Sequence, residues 1–122
     1  MNWLLVFVGG GLGSLARYGL ARWLPAADFA QGKLPWFTLA ANLLACTLLG
    51  LLLALVAREW LTKPLQLLLM TGFCGGFSTF STFAAEAWLL AEEGFFLAAA
   101  GYVFLSLVAG MVALVLVFWL LR

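Results

Sequence analysis

Three stretches of this chain carry no Asp, Glu, Lys or Arg: Pro35 to Ala57, Pro64 to Ala85 and Gly94 to Leu121. Each exceeds the ~20 residues that a helix needs to cross hydrocarbon. Asn2 to Leu24 makes a fourth, interrupted by Arg17 and closed by Arg22, Trp23 and Pro25. With 66% hydrophobic and 9% charged residues, the chain lacks the polar surface of a soluble domain. The expected fold is an all-α membrane protein, a single four-helix transmembrane domain over residues 1–122. Its spans fall near 3–24, 34–57, 64–91 and 95–121. The first span lacks a basic leading region and so reads as a helix rather than a signal peptide.

The loops, about Pro25–Lys33, Arg58–Lys63 and Glu92–Glu93, leave no room for a soluble catalytic domain. The absence of histidine removes the commonest metal ligand and general base. No nucleophile–base pair or metal cluster stands out, so an enzyme is excluded. Cys46 and Cys74 both fall inside spans, which argues against a disulfide framework. No basic run points to nucleic acid.

The third span is unusual. Gly72-Phe-Cys-Gly-Gly-Phe-Ser-Thr-Phe-Ser-Thr-Phe83 holds three glycines, four hydroxyls and four phenylalanines. Gly75-Gly76 followed by Ser78-Thr79 predicts an interruption near 75–79, because these residues favour caps and turns. A membrane tolerates freed backbone groups only where they face protein, water or an ion. A third helix broken at mid-membrane is therefore a candidate ion or substrate site.

Polar seams mark the other helices. Gly9 and Gly13, like Gly10 and Ser14, are spaced for close helix approach. Arg17 lies about two turns inside its span and must find a carboxylate, a carbonyl or a watery vestibule. Thr38, Asn42 and Cys46 share one face of the second helix. Asn42 is either interhelical glue or an N–H donor in an anion pathway. Beyond the break, Ser78, Thr82 and Glu86 form a stripe with Ser81 beside it, and Phe77, Phe80 and Phe83 a neighbouring one. Glu86 has three readings: a vestibule charge, a partner for Arg17, or a protonated pore group. Ala98, Tyr102, Ser106 and Gly110 make the inward stripe of the fourth helix.

Charge gives a further expectation. With four spans, Arg58, Lys63 and Arg122 lie on one side, and Arg17, Arg22 and Lys33 on the other. The positive-inside rule has nothing to act on, so insertion in both orientations is expected. A dual-topology chain can form an antiparallel two-fold homodimer.

Three motifs resemble the Fluc (CrcB) family of fluoride ion channels, over essentially the whole length. They are Gly9-Gly-Gly-Leu-Gly-Ser-Leu-Ala-Arg17-Tyr18, Phe37-Thr38-Leu-Ala-Ala-Asn42 leading to Gly50, and above all Gly72 to Phe83. The resemblance implies an antiparallel dual-topology homodimer in lipid, with two fluoride pores and a structural sodium ion at the dimer interface. The sodium ligands would be the backbone carbonyls of Gly75 and Ser78. The pore would use Asn42, Phe80, Phe83, Ser81, Thr82, Glu86, Tyr102 and Ser106, with Arg17 at the vestibule. The family usually has threonine where this chain has Ser78, a change that spares a carbonyl ligand. It often has a serine where this chain has Gly110.

The implied function is fluoride-selective, passive export from the cytoplasm across a bacterial inner membrane, giving fluoride resistance. Fluoride is small and strongly hydrated, so compact donors must replace its water. Phenyl edges offer a weak positive partner that permits escape. Beyond fluoride, lipid and a second copy, no protein partner is implied. The runner-up is a small dual-topology, proton-coupled multidrug-type transporter, which relies on a carboxylate in the first helix. Here that helix has none. A packing subunit without transport activity is the third reading.

Overall fold

The computed structural model describes residues 1–122, and apart from a lone Asp28–Lys33 bridge all its regular structure is helical. Helix α1 is Asn2–Trp23, and a 3₁₀ turn, Phe29–Gln31, leads to α2, Trp36–Ala57. Helix α3 runs over residues 63–77, α4 is Phe80–Glu92 and α5 is Phe96–Leu121. Four segments are long and apolar enough to cross a membrane: α1, α2, Lys63–Glu92 (α3 with α4) and α5.

Local chemistry sets the helix ends. Leu24 is extended ahead of Pro25, as a residue before proline prefers, and α1 stops there. Helix α2 ends in a left-handed residue, Glu59 (φ 59°), with the Trp60 N–H donating to the Leu55 carbonyl at 2.9 Å. Helix α4 ends the same way at Gly94 (φ 91°), with Phe95 N–H on Leu90. Both are Schellman-type stops, but only the second uses the residue that tolerates the conformation without penalty.

Helix α3 departs from regularity twice. Leu67–Cys74 is wound as a π-helix, a form that recurs at functional sites. After Phe77, Ser78 (φ −78°, ψ 161°) and Thr79 (φ −151°, ψ 116°) are extended, and helical geometry resumes at Phe80. The Thr79 hydroxyl caps α4 by accepting from Thr82 N–H at 3.3 Å. The glycines expected to interrupt this helix, Gly75 and Gly76, are themselves helical. A Cβ on Gly76 would collide with the Gly10 carbonyl, so the missing side chain serves packing and the hydroxyl residues make the turn.

Helix α1 lies along α3, α2 along α5, and α4 against α5. The α1–α3 seam is glycine on glycine. A Cβ on Gly9 would meet the Leu68 carbonyl, one on Gly13 the Phe73 carbonyl, and one on Gly72 would come within 2.9 Å of Gly9 Cα. Two small cores result, Phe83, Leu90, Ala99 and Tyr102 between α4 and α5, and Ala41, Ala45 and Phe77 between α2 and the end of α3. Only 19 of 122 residues are buried, and many large apolar side chains face outward.

Candidate functional site

The extended pair Ser78-Thr79 organises everything around it. The Thr79 N–H donates to Asn42 Oδ1 at 2.7 Å, and Asn42 Nδ2 donates to the Thr79 carbonyl at 3.1 Å. Because a backbone N–H can only donate and a carbonyl only accept, this clasp fixes the orientation of the amide. Asn42 therefore joins α2 to the turn, and its second Nδ2 hydrogen is left for another acceptor. Of the two roles open in the sequence, the interhelical one is the clasp itself.

Asn42, Phe80, Phe83 and Ser106 come together around one cavity of about 210 Å³, with Cys46, Ser78, Thr79 and Leu107 completing its wall. The two rings stand 5.9 Å apart and inclined by 49°. They differ sharply in setting. Phe83 is 8% exposed and lies 5.2 Å from the Tyr102 ring, whereas Phe80 is 78% exposed. The Ser106 hydroxyl is buried without a hydrogen-bond partner, which leaves a compact donor beside the cavity.

The remaining expected residues divide into two groups. Glu86 and Tyr102 are both buried, with the Tyr102 hydroxyl donating to Glu86 Oε1 at 3.5 Å. Thr38 lies beside both, with its hydroxyl buried against them. Thr38 was legible as sharing a face with Asn42, but nothing in the sequence aimed it at Glu86. Arg17 and Thr82 line a second cavity of about 220 Å³ together with Ser14, Tyr18, Ala21, Phe37 and Thr79. Arg17 Nη1 donates to the Ser78 carbonyl at 3.1 Å. Of the partners open to this guanidinium it has taken a carbonyl, and Glu86 has taken Tyr102 instead. Ser81 is exposed and lines neither cavity. Thr79, legible in the sequence only as a turn residue, walls both cavities.

Backbone oxygens at the turn fit a hard cation. In an unbroken helix the Thr79 N–H would donate to the Gly75 carbonyl; here it goes to Asn42. Gly75 is exposed, and a Cβ there would meet nothing within 4 Å, so this side of the turn is open. Carbonyl oxygens suit hard ions such as the alkali cations. The Ser78 carbonyl is the less free of the two, since Arg17 already donates to it.

The chain matches the family model described as "CrcB-like protein, Camphor Resistance (CrcB)" over residues 4–118. Curated relatives align along nearly its whole length. One from Phocaeicola vulgatus, named fluoride-specific ion channel FluC, is 38% identical over 96% of this chain and 95% of its own. A FluC from Chloroflexus aurantiacus is 40% identical over 94% of this chain and 90% of its own. FluC 1 from Yersinia pseudotuberculosis is 43% identical over 97% and 91%. With the family pattern spanning both cavities and the turn between them, this chain belongs to the CrcB family.

Proposed function

We propose that this multi-pass membrane protein is a fluoride channel, and that fluoride passes through the cavity bounded by Asn42, Phe80, Phe83 and Ser106. The carrying observation is that cavity: four residues from three helices, all expected in the pore, line it together in a chain whose relatives are named fluoride-specific ion channels. The protein is not an enzyme.

In this reading, Arg17 draws the anion into the cavity it lines with Thr82. Thr79, which lines both, stands between that vestibule and the second cavity. There, the free Nδ2 hydrogen of Asn42 and the Ser106 hydroxyl replace hydration water, and the positive ring edges of Phe80 and Phe83 hold the ion weakly enough to release it. Glu86, Tyr102 and Ser81 continue the route as a polar track, and Thr38 joins them. Desolvating a buried donor without a partner is costly, so Ser106 has a stake in receiving an anion.

The channel works as an antiparallel homodimer with two pores. Ser78 and Thr79 are extended, and the exposed Gly75 and Phe80 on either side of them are what a second copy would cover. The Gly75 and Ser78 carbonyls of both copies hold a sodium ion, which supplies a fixed positive charge at the interface. The protein sits in the bacterial inner membrane and exports fluoride passively. Proton-coupled multidrug transport is not favoured: α1 carries no carboxylate, and Glu86 is hydrogen-bonded to Tyr102 inside the chain.

Purified protein in liposomes, read with a fluoride electrode, tests the proposal. Fluoride is expected to leave rapidly while chloride is retained. Vesicles that stay tight to fluoride, or that leak both halides alike, would overturn it.

A further inference from the structure

Three sulfur-bearing residues border one cavity where the proposed anion route has no use for sulfur. Cys46 on α2 and Cys74 on α3 are free thiols, and with Met70 they line one cavity of about 200 Å³. Its remaining wall is apolar side chains and the Gly75 and Ser78 positions; no carboxylate contributes, and the chain has no imidazole. Buried cysteines and methionines are ordinarily gap fillers. Two observations go beyond packing. The sulfur residues border a cavity rather than a filled core. Cys46 and Ser78 are also walls of the neighbouring cavity that holds Asn42, Phe83 and Ser106. A ligand held on these sulfurs would sit at the edge of the anion route.

Thiol and thioether donors select soft d¹⁰ cations such as Cu(I), and reject the hard cations that prefer oxygen. We propose that Cys46, Cys74 and Met70 form a binding site for a soft monovalent cation, Cu(I) or Ag(I), and that its occupation blocks the adjacent anion route. For each cation bound, one thiol gives up its proton to solvent and its S–H bond is replaced by a thiolate–metal bond, with no change of oxidation state. The second thiol and the thioether complete the set as neutral lone-pair donors. The occupied site is electrically neutral, as an apolar segment requires. It differs in donor chemistry from the Gly75 and Ser78 carbonyls, so the two positions take different ions. The site itself is independent of the fluoride reading; only the block rests on it.

Silver nitrate is the probe, added to purified full-length protein in chloride-free buffer and followed by calorimetry. One silver ion per chain is expected at saturation. Cys46→Ser and Cys74→Ser should each weaken uptake by about tenfold or more, and Met70→Leu by less. Variants are first matched to the parent by circular dichroism and gel filtration, with Cys74→Ala replacing a serine variant that fails this. In liposomes, silver should stop fluoride efflux from the parent and not from Cys74→Ser, whose side chain lines the sulfur cavity but not the anion cavity. Two silver ions per chain, with each single-serine variant keeping one at undiminished affinity, would mean independent thiols and would overturn the site. Silver bound at full occupancy with efflux unchanged would overturn the block. Silver uptake by a protein that conducts no fluoride would support the site and overturn the channel reading instead.

Discussion

Asn42 satisfies both backbone groups of Thr79, so changes there separate holding the turn from serving an anion. Asn42→Ala leaves a buried N–H and C=O without partners, at a cost of about 2–4 kcal/mol. It should lower the melting temperature as well as the flux. Asn42→Asp keeps an acceptor for Thr79 N–H but adds negative charge beside the cavity. It is expected to give a folded protein whose fluoride efflux falls by about tenfold or more, measured in liposomes. The phenylalanine pair separates the same two roles. Phe80 is 78% exposed on the single chain, so Phe80→Ile should leave the helical fold of each copy intact, read by circular dichroism, while stopping efflux. Phe83 packs on Tyr102, and Phe83→Ile should stop efflux and also cost about 1–2 kcal/mol, read from thermal melts. Full efflux from both isoleucine variants would make the rings mere filler.

Helices α1 and α3 approach so closely that their contact depends on absent side chains. Gly76→Ala would push a methyl into the Gly10 carbonyl, and Gly9→Ala into that of Leu68. Either should lower thermal stability by several degrees and broaden the gel-filtration peak, since neither helix backbone can give way alone. Gly19, on the same helix as Gly9, has nothing within 4 Å of an added Cβ. Gly19→Ala should be neutral or gain up to about 1 kcal/mol from helix propensity. Equal effects at Gly76 and Gly19 would argue against the seam. Helix α2 ends on a left-handed glutamate where α4 ends on glycine. Glu59→Gly should therefore raise stability by about 1 kcal/mol in the same melts.

The whole molecule exposes an apolar surface on nearly every side, and its charges give little guidance on which way to face. Arg17 is engaged by the Ser78 carbonyl within the bundle. Arg22 and Lys33 then stand against Arg58, Lys63 and Arg122, which is still close to balance. Reporters fused to the C-terminus should find it on both sides of the membrane. Glu59→Lys with Thr62→Lys should force one orientation and abolish efflux. Co-expression with an Asp28→Lys, Gln31→Lys copy, biased the other way, should restore it. Efflux that survives a single enforced orientation would rule out the antiparallel pair.

Four membrane-length apolar helices were readable from hydrophobic run length and the scarcity of charge, because lipid forces every backbone group of such a run into its own helix. The glycine spacing of α1 likewise announced a close approach, although not the helix that would meet it. What remained hidden were choices between partners. Thr79 needed Asn42 brought from α2, Arg17 chose a carbonyl over Glu86, and Thr38 came to rest beside Glu86 and Tyr102. Ser81 and Ser106 were both read as track hydroxyls, yet one is exposed and the other buried without a partner. Run length and residue spacing are local quantities carried by the chain itself. Which donor satisfies which acceptor depends on helix crossings, and those are settled when the bundle packs.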